Sequence, residues 1–154
     1  MIINSKKESD LEQFYIDLEK LANKYSIDIS ENENIEYGKI RKRGDKVDIF
    51  VNPTLSDEKK RFVIAHELAH FFLGHLDIKK EYSESVRHFD IENSDILEQE
   101  ANMFASQLLV PNHMLKYLIY VNQITDIDRL SKIMRVPKNL IITRIEETEG
   151  DGGS

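Results

Sequence analysis

Cysteine is absent from this chain of 154 residues. Without it, neither a disulfide scaffold nor a thiolate metal site can form. Any transition-metal ion would therefore have to be held by histidine nitrogen and carboxylate oxygen. A chain without cysteine also suits a reducing compartment, and we expect a cytoplasmic protein.

Long apolar runs are missing as well. No run approaches the roughly 18 residues that a membrane-spanning helix needs. The N-terminal stretch Met1–Asp10 is polar and charged and lacks the apolar core of a signal peptide. The sequence therefore predicts neither a membrane span nor a secretory leader.

The chain also lacks an excess of basic residues. It has 28 acidic against 21 basic side chains, for a net charge of −7. An acidic surface repels a phosphate backbone, which disfavours direct nucleic-acid binding but is compatible with a basic protein partner. A hydrophobic fraction of 40% is ordinary for a soluble globular protein. The length favours a single domain over residues 1–149, followed by a flexible tail at 150–154.

Hydrophobic periodicity predicts the elements of the N-terminal half. Apolar residues at helical spacing indicate one amphipathic helix over residues 9–25. Residues 35–52 predict two strands joined around Gly44-Asp45, and the second strand, at 47–51, alternates apolar and polar residues. We expect these strands to form a small antiparallel sheet, with the strand at 47–51 as the edge along which an extended substrate pairs. A long helix should begin after a cap at Thr54 or Ser56 and end near Gly74.

The C-terminal half is mainly helical. Helices are predicted over 95–110, 111–120, 126–134 and 137–147, and Pro111 and Pro137 each open one of them. Residues 82–89 are compatible with either a short strand or a loop. The predicted fold is thus α+β: one mostly helical domain with a small antiparallel sheet, in which residues 126–147 form a short helical C-terminal part.

The motif His66-Glu67-Leu68-Ala69-His70 lies on the predicted long helix. Because the histidines are four residues apart, both imidazoles lie on one helix face, where they can chelate one zinc ion. The Glu67 carboxylate then lies beside the metal, as the general base of a metallopeptidase does. The surrounding helix is so apolar that the histidines need partners, which a metal supplies. The alternative is a helix with two otherwise satisfied histidines beside a surface glutamate.

A third metal ligand must be histidine, aspartate or glutamate, and the segment 97–105 offers Glu98 and Glu100. At about 100° per residue, Glu98 lies about 60° from Ala101, inside the buried arc of the helix, and Glu100 lies about 100° away, outside it. A carboxylate on a buried arc is costly unless it is paired or bound to a metal. We therefore predict Glu98 as the third ligand. Asn102, one turn later, can hydrogen-bond a ligand histidine, and His88 and Asp90 are the next candidates for the third position.

Two blocks of sequence carry a family resemblance. They are His66-Glu67-Leu68-Ala69-His70-Phe71-Phe72-Leu73-Gly74-His75 and Glu98-Gln99-Glu100-Ala101-Asn102-Met103-Phe104-Ala105, the latter followed by Leu108-Leu109-Val110-Pro111. In order and spacing they resemble the ImmA/IrrE family of zinc metallopeptidases. Val110 departs from the methionine that commonly precedes the proline in that family.

The resemblance implies a zincin-like fold with a gluzincin-like site that holds Zn²⁺, with His66 and His70 as ligands, Glu67 as the base and a glutamate from the second block. It also implies a substrate. Members of the family, often encoded on mobile elements, cleave or inactivate a cytoplasmic helix-turn-helix repressor. The alternative is a non-catalytic metal-containing module that docks on a transcription regulator.

Several other residues have weaker interpretations. His75 follows the long helix and is expected to interact with its C-terminal dipole. Tyr82 and His88 are candidates for stabilising an oxyanion. The two C-terminal helices resemble a DNA-reading pair, but the acidic run Glu146-Glu147-Thr148-Glu149 favours packing or partner docking instead.

Overall fold

The computed structural model describes residues 8–84 and 95–152. His88 and Asp90, which the sequence analysis singled out, lie outside these residues, as does most of the segment 82–89. Among the described residues, no helix combines the length and the apolar character needed to cross a bilayer.

The described residues form six α-helices and four strands, together with short 3₁₀ and π segments. The helices are α1 (Leu18–Lys24), α2 (Asp57–Phe72), α3 (Ile96–Leu109), α4 (Asn112–Lys116), α5 (Ile127–Met134) and α6 (Lys138–Gly152). The strands are β1 (Ile27–Glu31), β2 (Gly38–Arg43), β3 (Lys46–Val51) and β4 (Glu81–Glu84). The predicted α+β class is confirmed.

The four strands form one mixed sheet in the order β1-β3-β2-β4. β2 pairs antiparallel with β3, as the predicted hairpin around Gly44-Asp45 requires, and Gly44 adopts a left-handed φ of 61° at that turn. On its other side β2 also pairs antiparallel with β4. β1, however, pairs parallel with β3. The prediction of a purely antiparallel sheet was therefore wrong, because a strand at 27–31 was not recognised. Since β3 lies between β1 and β2, it is an interior strand and not the substrate-pairing edge that we expected.

The predicted helix over 9–25 is interrupted. A 3₁₀ helix spans Glu8–Phe14, and α1 begins only at Leu18. Asp17 has an extended backbone conformation and its side chain accepts a hydrogen bond from the backbone N–H of Lys20 at 3.1 Å. Asp17 thus caps a new helix, a role that competes with helical continuation for aspartate. The apolar spacing runs through this break, which is why periodicity alone missed it.

The other helices match their predicted positions closely. Ser56 is the N-cap of α2 and accepts a hydrogen bond from the Lys59 backbone N–H at 3.2 Å. The predicted helix at 111–120 is α4, continued by a π-helix over Tyr117–Val121. α6 extends to Gly152, past the predicted end at residue 147, and so includes part of the segment predicted to be a flexible tail.

Contacts divide the chain into two compact units. The first is Asp17–Ala105, and the second combines Met1–Ile16 with Ser106–Ser154. That residues 1–149 form one domain stays a prediction. In the first unit, α2 packs on β2 and β3, and the buried residues shared by this layer include Ile40, Ile49, Val63 and Leu68.

In the second unit, Arg144 of α6 is a buried cation with a relative exposure of 3%. Its Nε donates a hydrogen bond to the Val110 carbonyl oxygen at 3.0 Å, just after the end of α3. Its other nitrogens donate to the Glu147 carboxylate at 2.9 Å and to Asn112 Oδ1. A buried charge is tolerated only when it is paired and hydrogen-bonded, so Arg144 joins α6 to the turn that connects α3 and α4.

Arg144→Met provides a test of this role. Methionine keeps much of the buried volume but leaves the Val110 carbonyl without its charged donor, so the free energy of unfolding should fall by about 1.5–3 kcal/mol. Urea-induced unfolding monitored by circular dichroism measures the change. Lys138→Met is the matched control, because Lys138 pairs with Asp128 at 2.6 Å in the exposed part of the same unit, where ion pairs contribute little. Equal stability of the two variants would contradict the role assigned to Arg144.

Candidate metal centre

His66 and His70 project from the same face of α2 into the interior of the first unit. Both are completely buried, and their ring centroids lie 4.9 Å apart. One helical turn separates them, as the four-residue spacing predicted. The apolar character of α2 keeps this helix in the core, and the two imidazoles are thereby buried with it.

Glu98 reaches the same point from α3. Asp95 precedes this helix, and its carboxylate accepts a hydrogen bond from the Glu98 backbone N–H at 2.9 Å, which holds the first turn. The Glu98 side chain is only 4% exposed, and its Oε1 lies 2.8 Å from His66 Nε2 and 3.1 Å from His70 Nε2. One ligand atom from each of the three residues lies within 4.8 Å of the other two.

The hydrogen bond at Nδ1 of the His66 ring determines whether the other ring nitrogen, Nε2, has a free lone pair. His66 Nδ1 lies 2.7 Å from Asn102 Oδ1, an atom that only accepts hydrogen bonds. A proton on His66 Nδ1 satisfies this acceptor, and the neutral ring then keeps its lone pair on Nε2. That lone pair faces the Glu98 carboxylate, which is itself an electron-pair donor.

Electron-pair donors that face one another in a buried site are unfavourable unless a proton or a metal cation lies between them. Two imidazole nitrogens and one carboxylate oxygen are the donors that first-row transition metals, zinc among them, commonly take from proteins. The donor set thus fits a divalent metal ion held by three protein ligands, and such a site leaves a position for water or substrate. The structure brings together all three residues that the sequence predicted as ligands.

His75 lies against the other face of the cluster. Gly74 adopts a left-handed φ of 78° immediately after α2, and His75 begins a one-turn 3₁₀ helix over His75–Asp77. The ring of His75 turns back towards α2, so that its Nδ1 lies 2.9 Å from His70 Nδ1. Its Nε2 lies 3.1 Å from Glu100 Oε1. From the sequence, His75 was expected to interact with the helix dipole and Glu100 to lie outside the buried arc of its helix, so this contact was not predicted.

A signal for the contact did exist in the sequence. Glycine after the last periodic residue of a helix commonly takes the left-handed conformation that reverses the chain. Gly74 directly precedes His75, so the turn back towards His70 was foreseeable. The position of Glu100 was not, because it depends on how α3 lies against α2.

Tyr82 of β4 packs on the cluster and does not point a hydroxyl into it. Its ring stacks on that of His70 with centroids 4.2 Å apart and an angle of 12° between the planes. Its hydroxyl donates a hydrogen bond to the His75 backbone carbonyl at 2.7 Å. In this conformation the Tyr82 ring lines the site. Its hydroxyl is not directed into the site, so the predicted role in stabilising an oxyanion does not fit this geometry.

Glu67 directly follows His66 on α2 and is completely buried. Gly38, the first residue of β2, passes close to it. A methyl group on Gly38 would lie 2.9 Å from Glu67 Oε2 and would collide with Val63 Cγ1. Glycine is therefore required here because the strand backbone passes directly over the helix face that carries the carboxylate. The absence of a side chain at position 38 leaves Glu67 its place beside the cluster.

A family model described as the IrrE N-terminal-like domain, a peptidase domain, matches residues 14–146 of the chain. The matched range includes α2 and α3 and therefore every residue of the cluster. None of the curated proteins compared with the chain matches it.

The close approach at Gly38 can be tested by a double-mutant cycle. Gly38→Ala should destabilise the fold by about 1–3 kcal/mol, since the valine at 63 has little rotamer freedom to make room on a helix. Val63→Ala removes the colliding methyl group, so the double variant should be more stable than the sum of the single effects by about 0.5–3 kcal/mol. Thermal and urea-induced unfolding of the four proteins provides the coupling energy. Strict additivity would show that strand and helix are not in contact as described.

Proposed function

The chain belongs to the IrrE N-terminal-like peptidase family, and from this premise we propose that it is a zinc-dependent metalloendopeptidase. His66, His70 and Glu98 are its metal ligands and Glu67 is its general base. The observation that carries the proposal is the convergence of His66 Nε2 and His70 Nε2 on Glu98 Oε1, at 2.8 and 3.1 Å, with the buried Glu67 beside them.

Zinc is the metal that suits these donors best. Sites with two histidines and one glutamate are a known arrangement for catalytic zinc, and the absence of cysteine in the chain excludes the thiolate alternatives. When bound, zinc acts as a Lewis acid that polarises the scissile carbonyl and acidifies water. The three buried ligands would hold the metal in the interior, where charge interactions are stronger than in bulk solvent.

Glu67 performs the proton transfer. Its carboxylate accepts a proton from the attacking water and delivers it to the amine that leaves when the peptide bond breaks. Burial excludes bulk water from the carboxylate, and the bare backbone of Gly38 lets it lie 2.9 Å from where a side chain would begin. Glu67 lies on the same helix as two of the proposed ligands, directly after His66, so its carboxylate would be near the metal when one is bound.

The substrate that we propose is a cytoplasmic helix-turn-helix transcription regulator, which the enzyme cleaves or otherwise inactivates. Two considerations support this. The sequence blocks around His66 and Glu98 resemble the ImmA/IrrE proteins, for which such regulators are the expected partners. In addition, the net charge of −7 complements the basic surface that a DNA-binding protein presents. The same acidic charge argues against direct binding to nucleic acid.

The ligand assignment predicts how zinc binding responds to substitution. His66→Ala and His70→Ala should each remove most of the metal from the purified protein. Glu98→Gln should lower zinc affinity far more than Glu100→Gln does, although the two changes are chemically identical and two residues apart. Competition with a chelator of known affinity, together with elemental analysis, measures both effects. If Glu100→Gln loses the metal and Glu98→Gln keeps it, the ligand is Glu100.

The base assignment predicts a separation of binding from cleavage. Glu67→Gln keeps the shape of the side chain but cannot accept the proton, so the variant should hold zinc and lose proteolysis. Because it should still bind its substrate, this variant can be used to capture the partner from the cytoplasmic fraction. Cleavage of the captured partner by the wild-type protein is the expected result. Wild-type cleavage rates for Glu67→Gln would remove Glu67 as the base, and a partner that is bound but never cut would favour a docking module.

A further inference from the structure

We propose that His75 and Glu100 are positioning residues that set the tautomer of His70 and so leave its Nε2 available to the metal. This inference rests on the proposed role of His70 as a ligand. It starts from the chain of contacts His70–His75–Glu100, in which Nδ1 meets Nδ1 at 2.9 Å and Nε2 meets a carboxylate oxygen at 3.1 Å.

The Glu100 carboxylate determines which atom donates and which accepts in each hydrogen bond between His70, His75 and Glu100. An ionised carboxylate only accepts hydrogen bonds, so the His75 Nε2 that faces Glu100 carries a proton. In the neutral imidazole the other nitrogen, Nδ1, is then an acceptor. His70 Nδ1 lies opposite this acceptor and must donate to it. The proton of His70 is therefore on Nδ1, and its Nε2 keeps the lone pair that faces Glu98.

The opposite order of donors and acceptors is unfavourable at the contact between His75 and Glu100. If His75 donated from Nδ1 to His70, its Nε2 would present a lone pair to the Glu100 carboxylate at 3.1 Å. Two acceptors would then face each other, and His70 would carry its proton on Nε2, where it blocks metal coordination. The side chain of Glu100 is 53% exposed and His75 only 4%. A half-exposed carboxylate thus decides the tautomer of a fully buried ligand.

Tyr82 contacts both His75 and His70. The Tyr82 hydroxyl bonds the His75 backbone carbonyl at 2.7 Å, and the Tyr82 ring stacks on His70. His66 is oriented differently, by the neutral amide of Asn102. Among the described residues the two ligand histidines therefore have different supports, and that of His70 passes through a second imidazole to a charge.

Position 75 can be varied to separate hydrogen bonding from packing. His75→Asn places Oδ1 at the same number of bonds from the backbone as the histidine Nδ1, so it can still accept from His70. His75→Phe retains a ring but has no acceptor. We expect His75→Phe to bind zinc about 10–100-fold more weakly than the wild type, measured by chelator competition, and His75→Asn to recover most of the loss.

Position 100 can be varied in the same way. Glu100→Gln removes the charge but keeps an acceptor, whereas Glu100→Leu removes both. Zinc affinity should fall further for Glu100→Leu than for Glu100→Gln, since it is the acceptor that sets the direction of the chain. Equal affinities for these two variants, or wild-type affinity for His75→Phe, would overturn the proposal.

A measurement on the unmodified protein keeps the test independent of any folding defect. Long-range ¹H–¹⁵N correlation spectra of the metal-free chain, at a pH of about 8 where histidine is ordinarily neutral, report the tautomer of each ring. We expect the Nδ1–H form for His70 and the Nε2–H form for His75, with His70 changing form in Glu100→Leu. An Nε2–H form of His70 in the wild type refutes the inference. Failure of the wild-type chain to bind zinc, with these tautomers present, would instead refute the proposed function.

Discussion

Two imidazole nitrogens and a carboxylate oxygen meet in the interior of the first unit, and the surrounding structure follows from the need to keep them there. Polar groups in such a place are costly unless each is paired. Asn102 bonds the outer nitrogen of His66, and His75 bonds that of His70. The inner nitrogens are directed at Glu98. A metal cation at the centre would complete the pairing, and the same residues would then serve both the fold and the proposed chemistry.

The supports around the site are local and distinct in kind. At Gly38, the missing side chain keeps β2 close to Glu67. At Gly74, the left-handed backbone ends α2 and returns His75 to the cluster. These two glycines act through different properties, small size in the first case and conformational freedom in the second. Neither contributes a donor atom, but Gly38 leaves room for Glu67 and Gly74 lets the chain return His75 to His70.

Helical periodicity identified the centre of the site because its residues lie on helices. His66 and His70 are four residues apart, and Glu98 lies on the buried arc of α3, so the angle per residue was sufficient to place each of them inward. Periodicity failed where local capping or strand pairing decides the structure. The cap at Asp17 interrupts an otherwise continuous apolar pattern. β1 alternates only weakly, with Ile27 and Ile29 as its apolar residues, and its parallel pairing with β3 is a contact between distant parts of the chain.

The sequence by itself determined the donor types, their spacing on each helix and the side of the helix on which they lie, because these depend on composition and on the fixed geometry of an α-helix. Only the tertiary structure decided that α3 brings Glu98 to the histidines of α2, that Glu100 meets His75 and that Gly38 lies over Glu67. These contacts join residues far apart in the chain. They depend on how helices and strands pack against one another, and a local pattern of residues does not encode the packing of segments that are distant in the sequence.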